Sequence, residues 1–88
     1  MFPTVAIVKH IQEDRDYNRF YAQAEVMLTE DLDHAKLQPK DVDSSVHAAP
    51  LMNAKAGVNI FYISGTGNSP FKIGDTIPVI CFPNGETP

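Results

Sequence analysis

Tyr17-Asn18-Arg19-Phe20-Tyr21-Ala22-Gln23-Ala24-Glu25-Val26-Met27-Leu28 carries two incompatible hydrophobic periods. At helical spacing Tyr17, Phe20, Tyr21, Ala24, Met27 and Leu28 line up, and the stripe continues through Leu32 and Ala35 with only Asp31 breaking it. Read as an alternation, Phe20, Ala22, Ala24, Val26 and Leu28 fall on one side with Gln23 and Glu25 between them, as in a half-buried strand. Ala, Glu, Gln, Met, Leu and Arg dominate the stretch, and all are good helix formers. The helical match also runs for about five turns, while the alternation stops at Leu28. The link from residue 12 to 17 has no Gly, which a tight hairpin prefers. The sequence therefore predicts one long amphipathic helix here.

The breakers outside this stretch agree with a long first element. No Gly or Pro occurs between Pro3 and Pro39, whereas all five Gly and five of the seven Pro fall from Pro50 onward. Gly and Pro are the strongest local punctuation in a chain, so the second half must turn often. Upstream, residues 4–12 open with Val5, Ala6, Ile7, Val8 and Ile11, a β-branched run that reads as a mostly buried strand. Pro50 suits the first position of a short second helix, Pro50 to Ala56, which Gly57 would end in a left-handed conformation. Val58–Ile63 and Thr76–Phe82 read as strands that pair antiparallel, because the segment between them is too short for a parallel crossover. Pro78 lacks a ladder donor and so belongs at an edge or bulge. The expected architecture is α+β: an N-terminal strand, a long helix, a short helix and a C-terminal antiparallel β-hairpin. The alternative is a small all-β barrel or sandwich in which residues 4–12 and 18–28 form a hairpin.

The totals narrow the class of protein. Eighty-eight residues make a single small globular domain over 1–88, with 83–88 expected to fray. A net charge of −4 and seven basic residues scattered singly argue against direct contact with a nucleic-acid backbone. One cysteine, Cys81, excludes an intrachain disulfide and fits a reducing compartment. The N-terminal apolar run has no cationic start and is too short to span a bilayer. A cytoplasmic protein without membrane contact is expected, and a virion component would read the same way.

Catalytic and cofactor chemistry find little in this chain. Gly65-Thr66-Gly67-Asn68-Ser69-Pro70 follows a strand, yet it lacks the lysine and the helix N-terminus that a phosphate loop needs, so it reads as a hairpin loop. Asp41, Asp43, Ser44, Ser45 and His47 crowd acid, hydroxyl and imidazole into one polar loop, where such residues more often cap and turn than converge as a triad. His10, His34 and His47 have no ligand spacing, and Cys81 has no partner cysteine. No catalytic, metal or cofactor residue is assigned, and the chain is expected to be non-enzymatic.

Two surface readings remain. Ile60, Phe61, Tyr62, Ile63, Ile77, Val79, Ile80 and Phe82 are more bulk than one face of a small sheet needs. Phe61, Tyr62, Ile77 and Val79 are the candidate contact residues of an interaction or assembly module that self-associates as a homo-oligomer or docks on a larger protein. Such a chain would be an accessory subunit or a viral structural or inhibitory protein. The other reading uses the acids: Glu30, Asp31, Asp33, Asp41 and Asp43 would dock on a basic nucleic-acid-binding protein as an inhibitor or nucleic-acid mimic.

Overall fold

The computed structural model describes residues 1–40, the backbone of 47 and 48, and 54–86. The long helix does not form. Residues 19–28 are instead a strand near the middle of a six-stranded antiparallel sheet built from β1 (Phe2–Asp14), β2 (Arg19–Leu28), β3 (Lys36–Pro39), β4 (His47–Ala48), β5 (Gly57–Thr66) and β6 (Thr76–Phe82). The spatial order is β3-β6-β1-β2-β5-β4, and the sheet curls into a half-barrel. The α+β expectation is thereby corrected to a nearly all-β fold among the described residues, whose one helical piece is a 3-10 turn at Pro83–Gly85. Apart from Ala54, Lys55 and Ala56, the short helix expected over Pro50 to Ala56 lies outside the described residues; Ala54 forms a bridge with Leu32.

The physical reason is pairing. A helix at 17–35 would bury Tyr17, Tyr21 and Met27, all three of which are exposed. The strand buries the alternating set, Phe20, Ala22, Ala24, Val26 and Leu28. It also pairs along its whole length with β5 and over most of it with β1. Helix propensity differs by only tenths of a kcal/mol per residue among these residue types, so two full ladders and a buried face override it.

The turn that makes this strand possible uses Asn where Gly was sought. Asp14 Oδ1 accepts hydrogen bonds from the Asp16 and Tyr17 amides at 3.1 and 3.3 Å, and the Asn18 amide donates to the Arg15 carbonyl. Asn18 then takes φ 52°, a left-handed conformation that Asn tolerates better than most residues.

The two C-terminal strands do not pair with each other, which corrects the expected hairpin. β5 lies against β2 and β6 against β1, so the β1–β2 hairpin separates them. Their connection passes the tip of that hairpin and returns along β1. The Gly67 amide donates to the Asn18 carbonyl, the Ser69 amide to Glu13 Oε2, and the Gly74 amide to the Val8 carbonyl. Pro78 sits within a paired strand, yet its carbonyl accepts from the Lys40 amide. In an antiparallel ladder a residue's amide and carbonyl point to the same side, so the missing donor faces the spot where the four-residue β3 ends.

The core fills the inside of the curl. Across the central strands each inward row alternates bulk with small residues. Val8, Ala24 and Phe61 form one row, Ile11, Ala22 and Ile63 the next, and Ile77, Ala6 and Val26 a third. Small residues opposite large ones let a sheet of few strands close tightly on itself. At the hairpin end Phe20 lies over Gly65 and meets Phe71 edge-on at 6.2 Å between ring centres. An extra residue between Val8 and His10 bends β1 where its pairing with β6 ends.

Candidate interaction surface

The outward face is apolar as well. In a strand with one buried face the other normally turns polar. Here the outward residues of β1, β2 and β5 include Val5, Ile7, Tyr21, Met27, Val58, Ile60 and Tyr62. Met27 is 63% exposed, Tyr62 57%, Val58 55% and Val5 51%. The register makes them neighbours. Met27 faces Val58, Ile7 and Ile60 flank Glu25, and Tyr62 pairs with Gln23, one diagonal step from Tyr21. Pro78 of β6 extends the patch beside Val5. These seven side chains leave on the order of 600 Å² in solvent, at the top of the range for the largest apolar patch on an ordinary monomer.

The candidate contact residues from sequence divide sharply. Phe61, Ile77 and Val79 are 2% or less exposed and belong to the core inside the curl, so they offer no surface in this chain. Tyr62 alone of the four faces outward. The reason is the two-residue period: Tyr62 and Phe61 are adjacent, so one points each way. Sequence reasoning missed Val5, Ile7, Met27 and Val58. The missed signal was the apolar residues left on the outer side once β2 is read as an alternating strand.

The acidic candidates that are described, Glu30, Asp31 and Asp33, lie together at one end of β2, apart from the other acids of the chain. Glu30, Asp31 and Asp33 are exposed in the segment after β2, while Glu13, Asp14 and Asp16 lie at the turn before it. The length of β2 separates the groups by about 30 Å. Several of these acids are engaged in local structure: Asp31 Oδ1 accepts from the Ala56 amide at 2.8 Å, and Glu13 from Ser69. Asp41 and Asp43, with Ser44 and Ser45, lie outside the described residues, and of His47 only the backbone is described.

The remaining features are structural. Two of the Gly65–Pro70 loop amides that a phosphate would need are bound within the chain: Gly67 to Asn18 and Ser69 to Glu13. The Ser69 hydroxyl closes a local turn with Phe71. A polar cleft of about 200 Å³ beside this loop is lined by Glu13, Asp14, Arg15, Asn18, Arg19 and Asn68, two acids against two arginines, and so favours neither charge. Cys81 is buried in the core, and burial pushes its thiol pKa up, away from the reactive thiolate. Among the described residues no three His, Cys, Asp or Glu side chains gather as a metal site, and no helix is long and apolar enough to cross a membrane.

Comparison with protein-family models, curated proteins and solved structures finds no match to this chain. The reading of its role therefore rests on the surface itself.

Proposed function

We propose that this chain is a non-enzymatic protein-interaction or assembly module that docks through the outer face of its sheet. The observation that supports the reading is the joined patch of Val5, Ile7, Met27, Val58, Ile60 and Tyr62 across three neighbouring strands. None of these residues belongs to the buried cluster inside the curl, and cross-strand pairing offsets only part of the cost of leaving so much apolar surface in water. Covering an apolar side chain returns roughly 1.5–3 kcal/mol at full burial, and a partner that covers several gains a corresponding share. The acidic-decoy alternative has less support: of its acids Glu30, Asp31 and Asp33 are the described ones, and Asp31 already holds a backbone amide.

The test compares wild type with Met27→Lys/Tyr62→Lys, purified from the source organism at native level. Light scattering across a wide concentration range reads self-association, and mass spectrometry reads the copurifying proteins. The double substitution is expected to abolish whichever association the wild type shows. If stoichiometry and companions are the same for both, the outer face is not the docking site.

A further inference from the structure

The apolar patch has one charge at its middle. Glu25 stands on β2 between Ile7 of β1 and Ile60 of β5, with Gln23 and Met27 before and after it on the same side of the strand. It is half-buried by these neighbours. Among the described residues no basic group lies within salt-bridge distance of its carboxylate, the single ion pair being that of the Met1 ammonium with Glu86. Several other acids of the chain have evident structural employment. Glu13, Asp14, Asp31 and Asp75 each accept a backbone amide. No such partner engages Glu25 among the described residues.

This placement discriminates between occupants. A stable interface covers about 800 Å² per partner, so Glu25, standing among the seven apolar residues, would fall within the contact of any partner that covers the patch. A second copy of this chain, joined by a two-fold axis through the middle of the patch, would set Glu25 against Glu25. Two like charges sealed in an apolar contact repel and lose their water. A partner that brings a cation to the same point replaces the repulsion with attraction, and the hydrogen bonds of the pair offset the water that both groups lose. We infer that the outer face takes a different protein, one that presents a lysine or arginine ringed by apolar side chains, the cation seating on Glu25. This inference rests on the docking reading above and names the chemistry of the partner.

The test places the photo-cross-linker p-benzoylphenylalanine at Tyr62 and, separately, at Met27, in the full chain within extract of the source organism. The joined peptide is identified by mass spectrometry, and the affinity of the purified partner is then measured. The expected peptide belongs to another protein and holds a Lys or Arg flanked by apolar residues. Glu25→Gln should weaken binding about tenfold and Glu25→Arg about 100-fold, with recovery when the partner's cation is changed to Glu. Circular dichroism should show both variants folded, since position 25 faces outward.

A joined peptide from a second copy of this chain, or one without a cation, overturns the inference while leaving the docking reading intact. Unchanged affinity in Glu25→Arg does the same, as does a Glu25→Gln chain whose one new property is self-association, which would make the carboxylate a guard against self-pairing. No cross-link from either position removes the docking reading itself.

Discussion

The inner and outer sides of β2 and β5 are built from alternating residues of the same two strands, yet they meet different surroundings. Inward lie Phe20, Ala22, Ala24, Val26, Phe61 and Ile63, matched large to small and sealed from water. Outward lie Tyr21, Met27, Val58, Ile60 and Tyr62, similar in hydrophobicity, unmatched and wet. The difference shows that hydrophobicity alone does not identify the core. Complementary bulk across the rows marks the folded interior, and its absence on the exposed outer rows is what the proposed docking face rests on.

The inner face should break most easily. Phe61→Ala removes a ring packed opposite Ala24 and is expected to cost about 3–5 kcal/mol in urea unfolding, a large share of a small domain's stability. Gly65→Ala comes next. A Cβ there would lie 2.6 Å from Phe20 Cε1, and the ring is backed by Phe71, so a loss of about 1–3 kcal/mol is expected. Phe20→Leu should relieve part of that loss in the double variant, a coupling that a double-mutant cycle measures. Asn18→Ala places a Cβ-bearing residue with no side-chain amide at φ 52° and should cost about 1 kcal/mol, whereas Asn18→Gly should be near neutral by thermal unfolding.

The outer face supplies the contrast. Met27→Lys/Tyr62→Lys is expected to shift unfolding of the isolated subunit by no more than about 0.5 kcal/mol per site while abolishing association. A large destabilisation there would erase the distinction between the two sides.

The smallest expected effect is a pH slope from Cys81. Burial raises the folded thiol pKa above that of the unfolded chain. Both states hold the proton below the unfolded pKa, so nothing is lost there. As pH rises past it, the unfolded chain ionises first, and stability falls until the folded pKa is passed. Cys81→Ala should flatten this decline above about pH 9 in unfolding curves recorded from pH 7 to 10.

Much of the strand content was legible. Val5–Ile11, Val58–Ile63 and Thr76–Phe82 are β-branched runs bounded by turns or breakers, and each lies in a strand. The misread element is the one whose residues favour a helix by composition while alternating in pattern. The helical stripe from Tyr17 to Ala35 crosses β2 and enters β3's approach by coincidence of spacing, and no local property reveals that. The Asp14–Asn18 turn was overlooked because Gly was taken as the requirement, although Asn meets the same backbone need. The surface was half legible. The excess of apolar bulk could be counted, but assigning it to Phe61, Ile77 and Val79 needed to know which face the curl encloses.

The amino-acid order by itself determined where the second half of the chain turns, which runs are apolar, and that no cluster of basic residues and no intrachain disulfide is available to it. Those are properties of single residues and their near neighbours. Only the tertiary structure decided that residues 19–28 extend, that the last two strands are parted by the first hairpin, and that Glu25 stands amid an apolar field. Each of these depends on which strand lies beside which. Ladder hydrogen bonds and cross-strand packing are made between residues distant in sequence, and their sum outweighs the small local preferences from which a sequence is read.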